Sequence, residues 1–170
     1  NNINAGTATI TVTGKGNYVG ATGTATFTIT AKALTDAMVT LSATTFSYNG
    51  SLQKPTVTVK DGNTALTENT DYTLTNAGGT AAGTYNVIVA GKGNYSGSIT
   101  KQFTISANTG ALTVTPATTS YTYDGTEKKP AVTVKSGTAT LTENTDYTVA
   151  YTNNINAGTA TITVTGKGNY

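Results

Sequence analysis

The first 18 residues of the chain, NNINAGTATITVTGKGNY, recur without change as its last 18, residues 153–170. A diverged form of the same block ends in the middle of the chain at Gly91-Lys92-Gly93-Asn94-Tyr95. The three GKGNY motifs begin at residues 14, 91 and 166, so they are separated by steps of 77 and 75 residues. A fixed period of this length indicates a tandem array of structural units rather than one large domain.

Within each repeat, apolar residues alternate with polar residues, mostly threonine. Residues 160–164 read Ala-Thr-Ile-Thr-Val, and residues 85–89 read Tyr-Asn-Val-Ile-Val. A period of two predicts a half-buried strand, with the branched threonines on the wet face. No segment has the spacing of an amphipathic helix, and short strands separated by turn signals predict an all-β sandwich or barrel.

Turn signals recur at matching places in the two later repeats. Asp61-Gly62 and Ser136-Gly137 predict hairpins after the valine-rich strands. Lys54-Pro55 and Lys129-Pro130 are expected to begin those strands, where a proline is tolerated. About six or seven strands per repeat are typical of an immunoglobulin-like sandwich, with a β-grasp-like variant as the alternative.

The period also predicts the modules. We expect residues 32–107 to form one complete β module and residues 108–170 a second module that stops before its last strand. Residues 1–31 are expected to be the C-terminal strands of an incomplete module. On this interpretation the sequence is a window on a double repeat of 152 residues.

The residue types present argue against catalysis. The chain contains no His and no Cys, which excludes the Ser–His and Cys–His nucleophile systems. The acidic pair Glu68/Asp71 recurs as Glu143/Asp146, but acids so spaced within a turn are typical of local capping. Calcium requires clustered carboxylates, which eight scattered acids do not supply. We therefore expect no enzyme activity, no metal site and no cofactor.

Charge and hydropathy exclude two classes of partner. The net charge is +2, and all ten basic residues are lysines, without the arginines that suit phosphates and guanine edges. No apolar stretch approaches the roughly 20 residues that span a bilayer. We expect no nucleic-acid binding and no membrane insertion in this segment, and we expect neighbouring repeats, of the same polypeptide or of like chains, to be the main partners.

The GKGNY motif is the main candidate site. Phosphate-binding glycine loops lead into a helix, whereas this motif joins two strands, so we predict a tight turn with positive φ at glycine. Its exposed polar and aromatic residues are candidates for contact with a ligand or with the adjacent module. They are Asn17, Tyr18, Asn94, Tyr95, Asn169 and Tyr170.

An internal Lys–Asn amide crosslink is a second hypothesis for the same repeats. It requires a buried lysine, an asparagine and a nearby acid that moves the proton. The candidates that occur in both repeats are Lys60, Lys135, Asn94, Asn169, Glu68 and Glu143. Because Lys60 and Lys135 lie beside turn signals, exposure to solvent is the alternative.

The order of several motifs resembles a known family. Tyr123-Asp124-Gly125, Lys129-Pro130, LTENTDYT, NNINAGTATITVTGKGNY and Phe27-Thr28-Ile29 are together similar to bacterial immunoglobulin-like surface repeats of the YDG/MBG kind. The middle repeat departs from that pattern at Tyr48-Asn49-Gly50. The resemblance implies a secreted or cell-wall protein of the adhesin-like type found in Gram-positive bacteria, with ligand binding commonly placed in other domains.

The expected function is therefore structural, as the stalk, spacer or filament of a surface protein. One alternative is a multivalent module that binds a surface glycan or a host protein. Another is a self-assembling filament in which incomplete modules are completed by strand donation between chains.

Overall fold

The chain is all-β in the computed structural model, which describes residues 2–170. The helical segments in this part of the chain are two single 3-10 turns, Gly16–Tyr18 and Asp36–Met38. The strands are β1 (Gly6–Thr13), β2 (Thr22–Ile29), β3 (Lys32–Ala33), β4 (Val39–Leu41), β5 (Thr45–Ser47), β6 (Val57–Asp61), β7 (Thr64–Ala65), β8 (Tyr72–Thr75), β9 (Gly83–Gly91), β10 (Tyr95–Ser96), β11 (Ser98–Ser106), β12 (Leu112–Pro116), β13 (Val132–Ser136), β14 (Ala139–Thr140), β15 (Tyr147–Thr152) and β16 (Thr161–Gly166).

The alternating segments form strands, as predicted. In β9, Val87 and Val89 are fully buried while Thr84 and Asn86 are exposed. In β16 the apolar residues at 162 and 164 are half-buried and alternate with exposed threonines. The side-chain period of two therefore sets which face of each strand enters the core.

Both predicted hairpins are present. β6 pairs antiparallel with β7, and β13 with β14. The turn glycines, Gly62 and Gly137, have φ of 58° and 57°, a conformation that favours glycine.

The strands after the prolines begin later than expected, at Val57 and Val132. Each proline carbonyl instead accepts a side-chain hydrogen bond. Pro55 O accepts from Asn76 Nδ2 at 2.8 Å, and Pro130 O accepts from the Tyr151 hydroxyl at 2.6 Å. The prolines thus lie just outside the ladder, since a proline has no N–H to donate.

Contacts divide the chain into two compact units. The first contains residues up to 44 together with 54–78 and 84–103, and the second contains 45–53, 79–83 and 104–170. Both units take part of residues 32–107, so the units do not coincide with the repeat modules. The module boundaries 1–31, 32–107 and 108–170 stay a prediction.

The first unit has a sandwich-like core. One face comes from the sheet β4-β6-β7 and the other from β8 and β9, which belong to the sheet ordered β5-β11-β9-β8. Side chains of both sheets meet in one apolar cluster, and residues of the β3–β4 segment close it. Its buried members are Leu34, Met38, Val39, Val59, Tyr72 and Val89. The same unit contains the β1–β2 hairpin as a separate two-stranded sheet.

The second unit has a smaller core around Val134, Leu141 and Tyr147. Its sheets are β12-β13-β14 and β15-β16, and β5 pairs in parallel with the end of β11. The buried valine and tyrosine of this core occupy the same repeat positions as Val59 and Tyr72 of the first unit. The two later repeats therefore use equivalent residues for equivalent packing.

Candidate inter-repeat contact site

Both glycines of the GKGNY motif are required by the backbone. A Cβ on Gly91 would lie 2.6 Å from Ser96 N, and one on Gly166 would lie 2.7 Å from the Tyr170 carbonyl oxygen. The second glycine of each motif has a left-handed φ, 64° at Gly93 and 66° at Gly168, as predicted. The motif is a tight turn whose glycines leave room for the backbone to fold back.

The lysine of the motif binds a loop of its own repeat. Lys92 Nζ donates to the Asn69 carbonyl at 2.6 Å, and Lys167 Nζ donates to the Asn144 carbonyl at 2.9 Å. Asn69 and Asn144 both have φ of 67°, the left-handed conformation that asparagine tolerates. Both asparagines lie in the loop with the sequence TENTDY, residues 67–72 and 142–147, which we call the TENTDY loop. The lysine therefore binds the GKGNY motif to the TENTDY loop of the same repeat.

The repeated acids are part of the same loop. Asp71 Oδ2 accepts from Thr67 N at 2.8 Å, and Asp146 Oδ2 accepts from Thr142 N at 2.8 Å. Each side chain thereby satisfies the backbone amide four residues earlier in the same loop, a local bond rather than a ligand site. Among residues 2–170, no group of three or more metal-binding side chains comes together.

The asparagine of the motif reaches out of its own repeat. Asn94 Oδ1 accepts a hydrogen bond from the backbone amide of Ala5 at 2.7 Å. Asn94 Nδ2 also donates to Asn4 Oδ1 at 3.0 Å. A residue of the predicted middle module thus binds the segment that precedes β1.

The second copy of the motif makes the same contact. Asn169 Oδ1 accepts from the backbone amide of Ala82 at 2.7 Å. Ala82 precedes β9 as Ala5 precedes β1, and each is followed by a glycine with positive φ, 157° at Gly83 and 130° at Gly6. We call the Asn94–Ala5 and Asn169–Ala82 pairs the asparagine contacts.

The same asparagines also hold the chain that enters their own repeat. The Asn94 carbonyl accepts from Lys32 N at 2.9 Å, and the Asn169 carbonyl accepts from Asn108 N at 2.8 Å. In the first case this bond leads into the short parallel pairing of β3 with β10. Each asparagine therefore binds a preceding loop with its side chain and the linker with its backbone.

The tyrosines of the motif differ in exposure. Tyr95 is half-buried against the first core, and its hydroxyl donates to Asp61 Oδ2 at 3.2 Å. Tyr170 packs on the second core and meets Tyr48 edge-on, with ring centroids 5.5 Å apart. Tyr18 is 74% exposed. Of the three, Tyr18 alone offers most of its surface to a ligand.

The linker is secured differently in the two later repeats. Lys32 Nζ lies 2.7 Å from Asp61 Oδ1, whereas at the corresponding place Asn108 Nδ2 donates to Ser136 Oγ at 3.2 Å. The hydrogen bond from Lys32 lowers the pKa of the Asp61 carboxyl, and the bond to Asp61 raises the pKa of Lys32. An ionic pair in one repeat is replaced by a neutral pair in the next.

This difference predicts a pH dependence confined to one linker. Because its folded pKa is lowered, Asp61 stabilises the folded state above its unfolded pKa of about 3.9, and this contribution disappears as the pH falls through the lowered value. We expect acid to break the ion pair of Lys32 with Asp61 and to leave the Asn108–Ser136 hydrogen bond intact. NMR signals of the Lys32 and Asn108 side chains, followed as the pH is lowered, check this result. In the double variant Lys32→Asn with Asp61→Ser the transition should be absent; a transition that persists there would contradict this assignment.

The crosslink candidates lie in different surroundings. Lys60, Lys135, Glu68 and Glu143 are exposed, as the turn signals suggested for the lysines. Asn94 and Asn169 use their side-chain oxygens on alanine amides. The crosslink stays a prediction, and loss of ammonia from the intact mass is the measurement that tests it.

Two residues of the site were not predicted from the sequence. One is the lysine of GKGNY, whose carbonyl partner lies 23 residues earlier in both repeats. The constant spacing between the TENTDY and GKGNY motifs was the available signal. The other is the alanine of the Ala-Gly pair before the strand, which recurs as Ala5-Gly6, Ala82-Gly83 and Ala157-Gly158.

Comparison with protein-family models, with curated proteins and with solved structures gives no match for this chain. No helix in the described part of the chain is long and apolar enough to cross a membrane.

Proposed function

We propose that this chain belongs to the structural repeat region, a stalk, spacer or filament, of a bacterial extracellular surface protein of adhesin-like type. Its units would be tandem immunoglobulin-like modules of about 75 residues. The observation that carries the proposal is the asparagine contact, which is made twice by equivalent residues at the repeat period. A contact repeated in this way is what a linear array of like units requires.

The GKGNY motif would act as the joint of the array. Its lysine binds the TENTDY loop of the same repeat, and its asparagine binds the Ala-Gly segment before it. One short turn thus couples internal packing to contact with the neighbour. A surface rich in threonine and glycine, with 11% charged residues, suits a spacer because it offers few strong attachment points.

Removing the asparagine side chain tests this role. In Asn94→Ala and Asn169→Ala the amides of Ala5 and Ala82 lose their acceptors, at a cost of about 0.5–1.5 kcal/mol each. We expect hydrogen exchange at the corresponding amide to become roughly tenfold faster, since 1.4 kcal/mol is a factor of ten.

Asn17→Ala is the matched control. Asn17 lies in the same 18-residue sequence as Asn169, but it is exposed and has no such contact in the described residues. This variant should leave both amides unchanged. If the Ala5 and Ala82 amides exchange at the same rates in all three variants and in the unchanged chain, the asparagine contacts do not stabilise the segments before β1 and β9.

A second candidate function is multivalent binding of a glycan or host protein, and the exposure of Tyr18 favours it. An exposed tyrosine can stack on a sugar face, and many copies would add avidity. Glycan and mucin arrays probed with the chain and with Tyr18→Ala separate the candidates. Binding that disappears in the variant supports the adhesive function, whereas silence across both arrays favours the spacer.

Location on the cell surface is tested separately. Antibodies against the chain should label intact, unpermeabilised cells of the organism that makes it. Labelling that appears only after permeabilisation would contradict an extracellular role.

A further inference from the structure

Asn49 and Gly50 form the only Asn-Gly pair of the sequence, and they lie in the loop that follows β5. Both residues are exposed, and neither belongs to a strand. The side-chain amide carbon of an asparagine can be attacked by the backbone nitrogen of the next residue. Glycine has no Cβ to obstruct that approach. The pair is therefore a place where the chain could modify itself.

The turn around this pair favours the attack. Asn49 Oδ1 accepts a hydrogen bond from Ser51 N at 2.9 Å, so the side chain lies along the Gly50 peptide. When Gly50 N adds to Cγ of Asn49, negative charge develops on Oδ1, the atom that the Ser51 N–H already binds. A donor aimed at the oxygen where charge develops lowers the barrier of such an addition.

A second asparagine makes the same turn without a glycine next to it. Asn108 Oδ1 accepts from Gly110 N at 2.9 Å, but the residue between them is Thr109. The branched Cβ of threonine crowds the backbone nitrogen that would have to attack. Asn108 Nδ2 is also held by Ser136 Oγ at 3.2 Å. Asn108 therefore serves as an internal reference with matched hydrogen-bond geometry.

The later repeat shows that the same turn accepts a carboxylate. Residues 124–126 occupy the repeat position of residues 49–51, and Asp124 Oδ1 accepts from Thr126 N at 2.9 Å. The central glycines of the two turns have φ of 76° and 75°. An aspartate at position 49 would thus fit the existing backbone.

The two repeats differ in what faces this carboxylate. Lys128 Nζ forms an ion pair with Asp124, and the hydrogen bonds from Lys128 and Thr126 hold the pKa of the Asp124 carboxyl well below its usual range. Gln53 stands at the position of Lys128 in the middle repeat. A carboxylate at position 49 would therefore lack the lysine that neutralises its counterpart.

We propose that Asn49 is a self-modification site at which the Gly50 nitrogen displaces the side-chain amide. A bond forms between Gly50 N and Asn49 Cγ, the Cγ–Nδ2 bond breaks, and the amide leaves as ammonia with the proton of the Gly50 N–H. Water then opens the resulting succinimide at either carbonyl, which gives aspartate or isoaspartate. The change lowers the net charge of +2 by one, and it does not depend on the proposed spacer function.

Peptide mapping by mass spectrometry tests the proposal on the full chain, kept folded in mildly alkaline buffer. We expect replacement of the amide NH2 by OH, as aspartate and isoaspartate, at least about tenfold faster at Asn49 than at Asn108, a barrier difference of about 1.4 kcal/mol. Thr109→Gly places a glycine after Asn108, so it should raise the rate at Asn108 and leave Asn49 unchanged. Equal rates at the two asparagines of the unchanged chain would overturn the proposal.

A pair of variants at Ser51 tests the role of the turn. Ser51→Pro removes the N–H that binds Asn49 Oδ1 and should slow the modification about tenfold. Ser51→Ala keeps the N–H and should leave the rate unchanged. Circular dichroism checks that both variants fold. A Ser51→Pro chain that folds and reacts as fast as Ser51→Ala would show that the turn does not promote the attack, and would overturn the site as described.

Discussion

Phe103→Ala is expected to lower the free energy of unfolding by about 3–5 kcal/mol. Phe103 is 1% exposed, and its ring stacks on Tyr85 with centroids 5.4 Å apart. Truncation removes a fully buried ring from β11, which neighbours β9 in the sheet, and leaves a cavity beside Tyr85. Chemical denaturation monitored by circular dichroism, at a concentration where the chain is monomeric, measures the loss.

Phe27→Ala is the matched variant, since Phe27 occupies the same repeat position. Because Phe27 is 45% exposed, its removal should cost less than about half as much as removal of Phe103. The difference between the two losses of unfolding free energy measures the extra packing that β11 receives and β2 lacks. Equal losses from the two variants would contradict the packing described for the middle repeat.

Gly91→Ala and Gly166→Ala are expected to destabilise the chain by about 1–3 kcal/mol, the usual cost of overpacking. In each case the new Cβ would meet backbone atoms under 3.0 Å away, which cannot move as a flexible side chain can. The turn must open, and this movement pulls the lysine and asparagine of the motif away from their partners. Thermal unfolding measures the change.

Gly23→Ala is the control for these glycines. Gly23 lies in β2, and a Cβ there would meet nothing within 4 Å. This substitution should change stability by no more than about 0.5 kcal/mol. If Gly91→Ala changed stability as little as Gly23→Ala, the close approach of backbone atoms to Gly91 described for the GKGNY turn would be contradicted.

Local features of the fold could be predicted from the sequence. Alternation identified β9 and β16, and the Asp-Gly and Ser-Gly pairs identified the hairpins, because strands and tight turns are specified by neighbouring residues. Positive φ at Gly93 and Gly168 followed from the same kind of evidence. The all-β class could therefore be predicted from patterns that span only a few neighbouring residues.

The partners within the site could not be predicted in that way. Asn94 was identified as a candidate for contact between modules, but Ala5 lies 89 residues away and its contribution is a backbone amide. Any residue type can supply a backbone amide, so the side chains of the loop do not reveal it. The exposure of Phe27 and the burial of Phe103 likewise depend on which elements pack nearby rather than on their shared local sequence.

We propose that the asparagine contacts join successive repeats into a linear array. Small-angle scattering from polypeptides with one, two and three copies of the 152-residue double repeat measures how the array grows. The maximum dimension is expected to rise in proportion to the number of copies. A radius of gyration that rises only as about the 0.38 power of length, as in one compact globule, would contradict it.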